Sequence, residues 1–342
     1  MKYVLAPIAG FTNAAFRLMA SRGGADLTYT EMVSAAGLAH GSSPTRHLLE
    51  VLPGEGPVAC QLCGAKPEEL AYAAREVSAT GRFVELNLNA GCPVPRIVRE
   101  GAGSALVKDP ARVYDLLVAM VGATGLPVTL KTRPGPRPDK VLMFELLDAA
   151  ETAGAKGFTL HARFTSQNHG GAVHLELLAE LVQKARIPVT GNGGVKDVET
   201  ARAMAETGVA AIMVGRAALP NPYIFSAIHP QATTSSDGGD WRIGGLGDWR
   251  IESPNSKSPN PPMILNPQPS TLFHEHLEAL KALHAQIAAR FPQDRLPTLD
   301  AWVAGAVRTH LFRYFAGRPG VGELRRRLAT IRTLREIEAI SW

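Results

Sequence analysis

The chain has 342 residues, of which 45% are hydrophobic, and its net charge is +5, from 36 Lys and Arg against 31 Asp and Glu. This composition supplies a large buried core, so it excludes intrinsically disordered and fibrous proteins. No uncharged apolar run reaches the roughly 20 residues that a bilayer span needs, and three cysteines cannot form a disulfide framework. We therefore exclude the membrane and secreted classes, and we expect a cytoplasmic protein.

Residues 1–230 alternate between short apolar runs and amphipathic stretches. Eight runs, mostly bounded by glycine or proline, predict strands covered on both faces, because their apolar residues are consecutive. They are Tyr3–Ala6, Leu27–Glu31, Pro57–Gln61, Phe83–Asn89, Pro127–Lys131, Gly157–His161, Ile187–Gly191 and Ala210–Val214. Helical patterns lie between most of them, as at Pro67–Ala79, Pro110–Val121 and Val198–Thr207. The count predicts an α/β fold, a (β/α)8 TIM barrel. An open doubly wound sheet is the alternative, and the absence of GxGxxG after the first strand disfavours it.

The last third of the chain differs in composition. Seventeen of the forty residues at 231–270 are Gly, Pro or Ser, and the sequence Gly-Asp-Trp-Arg-Ile occurs there twice. We interpret this segment as a flexible linker or inserted loop, with base stacking by its two Trp-Arg pairs as the alternative. Helical periodicity returns at Phe273–Arg290, Thr298–Phe315 and Gly322–Ile340, which predicts a small bundle of three or four helices. Residues 271–342 carry eleven Lys and Arg against seven Asp and Glu, so most of the charge excess lies in this bundle.

Polar residues cluster where the predicted strands end, whereas the strand interiors are apolar. In a (β/α)8 barrel the strand ends form the site. The residues at these ends are Pro7, Ile8, Ala9, Gln61, Asn89, Cys92, Lys131, Arg133, His161, Arg163, Asn192, Gly193, Gly194, Gly215 and Arg216. Glycine turns after the seventh and eighth strands let backbone N–H groups approach a phosphate closely, although ordinary tight turns are the alternative.

Three residue types at these ends could carry chemistry. Cys92 lies in a Gly-Cys-Pro loop, which favours a reactive thiol over an inert buried one. Lys131 could form a Schiff base, contact a phosphate, or place a charge beside an electron-accepting ring. His161 could be a general acid or base, a ligand contact or a core histidine. Cys60 and Cys63 are expected to pack in the core, and the ten histidines show no metal-binding spacing, so we expect no metal.

These residues, in this order, resemble the tRNA-dihydrouridine synthase family. The matching stretches are APIAGFTNAAFR, TEMVSAAGL, QLCGAKPEELA, ELNLNAGCPVPRIVREGAGSALVKDP, TLKTRPG, TLHARFTSQ, PVTGNGGVKDVETA, GRAALPNPYIF and VRTHLFRYFAGRPGVGELRRRL. The resemblance covers residues 4–228 and roughly 271–340. It implies an FMN-binding barrel at 1–230, the insert at 231–270, and a basic helical tRNA-binding domain at 271–342. We expect a monomer with no membrane contact.

The resemblance also implies the chemistry, in which reduced FMN passes hydride to uridine C6 and NADPH is the reductant. Cys92 would give a proton to C5, which fits a reaction whose enolate must be protonated. Asn89 and Arg163 would contact the uridine, which must leave the base stack to reach the flavin. The residues expected to contact FMN are Pro7, Ile8 and Ala9 at the ring, Gln61 and Lys131 at its polar edge, His161 near the ring and phosphate, and Asn192, Gly193, Gly194, Gly215 and Arg216 at the phosphate. The residues expected to hold the tRNA backbone are Arg308, Arg313, Arg318 and Arg325–Arg327.

The sequence departs from the family pattern at three positions. Ile8 stands where the family usually has Met, Pro134 where Leu is common, and Pro220 where Gly is usual, and the segment 231–270 is longer. Two other hypotheses about the function are compatible with the sequence. One is another FMN barrel that acts on a small molecule, which the basic bundle disfavours. The other is an RNA-binding protein that no longer catalyses, which the presence of Cys92, Lys131 and the glycine turns disfavours.

Overall fold

The computed structural model describes residues 1–229, 267–315 and 320–340. Residues 231–266 of the predicted linker, with both Trp-Arg pairs, lie outside the described residues, as does Arg318.

Of nine parallel strands in the described residues, eight close into a barrel, which confirms the predicted fold class and excludes the open sheet. The strands are β1 (Lys2–Leu5), β2 (Leu27–Tyr29), β3 (Val33–Ser34), β4 (Val58–Cys63), β5 (Glu85–Ala90), β6 (Val128–Thr132), β7 (Gly157–His161), β8 (Val189–Asn192) and β9 (Ala211–Val214). The ladder runs in sequence order from β4 to β9, β9 pairs with β1, β1 with β2, and β2 with β4, so no edge is left open. The two-residue β3 is outside this ring and extends the pairing of β4.

Two predicted strand ends are wrong by two residues, and the ends predicted at Ala6, Asn89, Lys131 and Gly191 are each wrong by one. The second strand stops at Tyr29 instead of Glu31. The strand predicted to end at Gln61 continues to Cys63, because Val33 and Ser34 of β3 pair with Leu62 and Cys63. Gln61 therefore lies within β4, below the barrel mouth.

Helices cover the outside of the barrel. They are α1 (Ala14–Arg22), α2 (Ala35–Ala39), α3 (Ser43–His47), α4 (Pro67–Ala79), α5 (Pro95–Arg99), α6 (Pro110–Val121), α7 (Met143–Thr152), α8 (Leu175–Lys184), α9 (Val198–Ala205) and α10 (Ile224–Ile228). Helices α4 and α6 have the bounds predicted from their first prolines, and α9 ends two residues early. Asp109 and Asp197 accept hydrogen bonds from the first turns of α6 and α9, which fixes where these helices begin.

The barrel strands are apolar on their outer faces, but part of the lumen is polar. On β5, Leu86, Leu88 and Ala90 join the core beneath the helices. The alternate residues Glu85, Asn87 and Asn89 share hydrogen bonds with side chains of neighbouring strands. The expectation of apolar strand interiors is therefore wrong for β5, since the Glu-Leu-Asn-Leu-Asn alternation places every second residue in the lumen.

The carboxyl-terminal helices pack on one side of the barrel. They are α11 (Pro269–Arg290), α12 (Leu299–Thr309), a 3-10 helix (Leu311–Phe315), α13 (Val321–Thr330) and α14 (Leu334–Glu338). The segment predicted as one helix to Ile340 is broken after Thr330, because Ile331 is extended and Thr333 caps α14. One apolar cluster contains bundle residues and Leu18, Met19 and Leu52 of the barrel, so the bundle is docked through a shared core.

The barrel buries two carboxylates in ion pairs, and one of them, that of Glu50, also contacts the bundle. Arg17 on α1 pairs with Glu55 at 2.9 Å and also donates to the carbonyls of Thr12 and Glu50. The carboxylate of Glu50 is buried and accepts from Arg82 and from Gln286 of α11.

No helix in the described residues is long and apolar enough to cross a membrane. Nor does the described part of the chain bring three or more His, Cys, Asp or Glu together in a way that could hold a metal ion.

Candidate active site

The carboxyl ends of β5 to β9 bring basic side chains together at the barrel mouth. Lys131 is the penultimate residue of β6 and donates from Nζ to Asn192 Oδ1 of β8 at 3.0 Å. Asn192 in turn donates to the carbonyl oxygen of Met213 on β9 at 2.8 Å, so its amide orientation is set. Burial, and to a smaller extent the charge of Arg133, lowers the pKa of Lys131 to about 7, even though Cys92 acts in the opposite direction. The charged form of Lys131 is therefore destabilised here, and a nearby anion would stabilise it.

Several more cationic groups surround Lys131. Burial is the main cause that holds the pKa of His161 well below its ordinary value, with Lys131, Arg133, Arg163 and His169 adding to it, so His161 is neutral. The pKa of Arg163 is also lowered, by burial and by Arg216. Within the described residues, none of these side chains makes an ion pair with an acidic group. The mouth therefore carries uncompensated positive charge, which favours an anionic ligand.

Two glycine turns flank this basic group. Gly193 and Gly194 have φ angles of +121° and +78°, a backbone conformation that side chains disfavour. A Cβ on Gly193 would lie 3.1 Å from Cδ2 of His161, so only glycine leaves this space open. In the ranges that the structure covers, the N–H groups of Gly193, Gly194 and Arg216 donate no hydrogen bond to protein. Free N–H groups beside cations are typical of phosphate sites.

The loop that carries Cys92 is held from two sides. Asn89 Oδ1 accepts from the N–H groups of Cys92 and Gly91, at 3.0 and 3.2 Å. The Cys92 carbonyl accepts from Ser104, and a Cβ on Gly103 would lie 2.6 Å from that same oxygen. Cys92 itself is half-buried. The structure thus gives Asn89 a role in shaping the loop.

Gln61 and Asn89 are linked below the mouth. Asn89 Nδ2 donates to Gln61 Oε1 at 2.8 Å, and Gln61 Nε2 donates to Asn87 Oδ1 at 2.7 Å. Each amide nitrogen keeps one further hydrogen for a ligand.

The Pro7–Ala9 segment lies beside the last glycine turn. A Cβ on Gly215 would be 3.9 Å from Cδ1 of Ile8, which places Ile8 next to the β9 turn. Thr12 closes the segment, because it accepts from the Ile8 N–H and donates to the Ile8 carbonyl. Pro7 and Ile8 are half-buried and Ala9 is exposed.

Sequence reasoning left two residues at the mouth without a role. Arg133 is 1% exposed, and it donates to the carbonyl of Gly91 at 2.7 Å and to that of Asn168 at 2.8 Å. It therefore joins the Cys92 loop to the loop after β7. His169 stacks on His161 with ring centroids 5.9 Å apart, and its carbonyl accepts from Arg216. The strand-end position of Arg133 could have identified it, whereas His169 has no comparable signal.

The bundle arginines predicted to hold RNA have different surroundings. Arg313 stacks over the ring of Phe11 at 4.9 Å, and Arg325 over Phe312 at 4.7 Å. Arg308 is exposed but donates to the carbonyl of Ile331. Arg326 is exposed on α13. Arg313 thus touches the loop following Pro7–Ala9.

Cys60 and Cys63 are buried, as expected for core residues. Burial raises the pKa of each thiol to about 12, so both remain protonated and unreactive near neutral pH.

Comparison with known proteins gives a family match over most of the chain. Residues 4–243 match the family model described as "Dihydrouridine synthase (Dus)". A "Probable tRNA-dihydrouridine synthase" of Treponema pallidum (strain Nichols) is 37% identical over 230 residues, which cover 64% of this chain and 68% of the relative. A "tRNA-dihydrouridine synthase B" of Klebsiella pneumoniae is 36% identical over 229 residues, which cover 66% of this chain and 71% of the relative.

Proposed function

The chain belongs to the dihydrouridine synthase family, and from that premise we propose that it reduces the C5–C6 double bond of uridines in tRNA, with FMN as cofactor and NADPH as reductant. One observation carries the proposal beyond the family match. The mouth of the barrel combines uncompensated cations, free backbone N–H groups and a half-buried cysteine in one place.

The residues at the mouth fit a flavin mononucleotide. A dianionic phosphate would be bound by Gly193, Gly194 and the Gly215–Arg216 turn, where the backbone donors have no protein acceptor. Asn192 orients Lys131 through its side-chain oxygen. Neutral His161 can donate one hydrogen bond to the phosphate or the ring. Such an anion would offset the charge repulsion among the basic residues.

In this arrangement the flavin ring would meet polar side chains along one edge and apolar residues elsewhere. Lys131 and Gln61 would bond the polar edge, and Lys131 would stabilise negative charge there in the reduced state. Pro7, Ile8 and Ala9 would line the ring beside Gly215, which the closeness of Ile8 to that turn supports.

The reaction needs a hydride and a proton. FMN held by these residues would supply the hydride for uracil C6, with NADPH as the source of the electrons. Cys92 donates the proton to C5, on a loop that Asn89 and Gly103 hold in place. Asn89 and Arg163 contact the uracil that has left the base stack.

The basic bundle would bind the tRNA backbone, as a domain at 271–342 joined by 231–270 to the cofactor-binding domain at 1–230. Arg326 and Arg308 are exposed, and Arg325 presents its guanidinium on Phe312, so all three can reach phosphates. Arg313 has an additional contact on Phe11, and so links bound RNA to the loop beside the flavin. Binding should weaken steeply as salt concentration rises.

Reconstitution with FMN tests the proposal. The protein should acquire a visible flavin absorption band and form dihydrouridine in unmodified tRNA with NADPH, as measured by mass spectrometry of nucleosides. The Cys92→Ala variant should keep the flavin band and lose about a hundredfold or more in turnover. Cys60→Ala, which removes a buried thiol of β4 from the core, is the matched control and should keep its turnover. Absence of FMN binding would reject the cofactor assignment, and full activity of Cys92→Ala would reject the role of Cys92.

A further inference from the structure

A chain of side-chain hydrogen bonds runs through the polar part of the barrel lumen. It begins at the Cys92 loop, passes through Asn89 and Gln61, and continues to Asn87. Asn87 Nδ2 then donates to Thr129 Oγ1 at 2.8 Å. Thr129 donates to Glu85 Oε1 at 2.6 Å, where the chain ends. The chain therefore joins the mouth to the first residue of β5.

Every bond in this chain points the same way. A backbone N–H can only donate, so Asn89 must present its oxygen to Cys92 and its nitrogen to Gln61. The same reasoning orients Gln61 and Asn87 in turn. At the other end, Glu85 Oε1 accepts from both Thr129 and Tyr29, the latter at 2.8 Å. The two ends impose the same direction on the amides between them.

The direction has a consequence at the mouth. Gln61 has its second N–H left for a ligand, and this donor would match an acceptor on the polar edge of a flavin ring. A reversed Gln61 would present an oxygen to the same place. A reversed Asn89 would turn an N–H group toward the N–H groups of Gly91 and Cys92, and their hydrogen bonds would be lost.

We propose that Glu85 is a positioning residue, which acts through Thr129 and Asn87 to fix the amide orientations of Gln61 and Asn89, and thereby the Cys92 loop. Glu85 touches neither cofactor nor substrate, since four side chains separate it from the loop. The importance of that loop for turnover rests on the proposed function, whereas its ordering does not. At position 85 the hydrogen-bond chain needs an oxygen that accepts two hydrogen bonds, and this matters more than a negative charge.

Two substitutions separate these requirements. Glu85→Leu removes the acceptor and leaves the hydroxyls of Thr129 and Tyr29 unpaired. Glu85→Gln keeps an oxygen that can accept from both. Leu27→Met is the matched control, because Leu27 packs against the apolar side of the same lumen and takes no part in the chain.

The first readout uses the FMN-free protein and needs no activity. Hydrogen exchange at the N–H groups of Gly91 and Cys92, followed by NMR, should speed up about tenfold in Glu85→Leu, the factor expected for loss of about one hydrogen bond. In the same variant, the rate at which iodoacetamide alkylates Cys92 should differ from the rate in the unaltered protein. Glu85→Gln and Leu27→Met should match the unaltered protein.

The second readout is turnover of unmodified tRNA by the FMN-loaded enzyme. In Glu85→Leu kcat should fall by about tenfold while KM for tRNA stays constant, and Glu85→Gln should restore kcat. If Glu85→Leu does not fold, Thr129→Val breaks the chain one step closer to the mouth and should give the same exchange result.

The outcomes separate this inference from the proposed function. Unchanged exchange in Glu85→Leu, or in Thr129→Val, overturns the positioning role, and so does equal disturbance by Leu and Gln at position 85. If exchange responds as expected but the unaltered enzyme forms no dihydrouridine, the positioning role is supported and the proposed function fails.

Discussion

Removing the charge of Lys131 should stabilise the FMN-free protein at neutral pH and weaken FMN binding. Lys131 is buried among other cations, and its pKa falls from the ordinary 10.5 to about 7. The variant Lys131→Met replaces the ammonium group by an apolar one of similar length. The expected gain in stability follows from the charge that no longer needs to be buried.

The size of the effect depends on pH. Because the folded-state pKa is below the unfolded one, burial of Lys131 opposes folding fully below about pH 7, and this opposition disappears as the pH rises toward 10.5. The drop in pKa corresponds to an upper bound of about 5 kcal/mol. Loss of the bond to Asn192 leaves a buried oxygen unpaired and costs about 1–3 kcal/mol. The net gain is therefore at most about 2–4 kcal/mol near pH 6, and it is about zero or negative near pH 10.

Urea unfolding of the FMN-free protein at these two pH values measures the difference. Lys108→Met is the control, since Lys108 is exposed and its replacement should change the free energy of unfolding by less than about 0.5 kcal/mol. FMN affinity, measured by fluorescence titration, should fall by at least about tenfold in Lys131→Met. A Lys131→Met protein that is destabilised equally at both pH values would refute the reasoning.

Three further predictions concern the loops and the docking of the bundle. Gly103→Ala should push the Cys92 carbonyl out of place and lower turnover about tenfold or more. Gly81 has a similar φ of +64° but open space around it, so the control Gly81→Ala should keep turnover. Nucleoside analysis of the tRNA product measures turnover for both variants. Arg17→Met should leave the buried carboxylate of Glu55 unpaired and lower the free energy of unfolding by about 3–5 kcal/mol in urea, and Arg75→Met on the exposed face of α4 should have little effect. Glu50→Ala should loosen α11 and increase proteolysis within the bundle, because Arg290 loses its carboxylate partner on the barrel and Gln286 keeps only the carbonyl of Val51. An unchanged cleavage rate would contradict this role.

Much of the fold was predictable from local pattern alone. The alternation of apolar runs with helical stretches repeats eight times, and each unit is encoded within about 30 residues. Helices α4 and α6 were predicted to the residue because prolines mark where they begin. The strand-end rule also identified Lys131, His161, Asn192 and the glycine turns, since carboxyl ends of parallel strands meet at one face.

Other features depend on contacts between distant residues. Gln61 was misplaced by two residues because the end of β4 is extended by pairing with β3, a contact that no local period reveals. The same is true of Arg133, whose buried guanidinium joins two loops, and of Arg313, whose guanidinium stacks on Phe11.

The sequence by itself thus determined which residues stand at the ends of the strands and how often strand and helix alternate, because both follow from short-range periodicity. Only the tertiary structure decided the environment of those residues. Closure of the barrel buries Lys131 among cations and lowers its pKa, and it aligns the polar side of β5 into a one-way chain from Glu85 to Cys92. Desolvation and hydrogen-bond direction are properties of groups brought together across the barrel, and they have no counterpart in the order of residues along the chain.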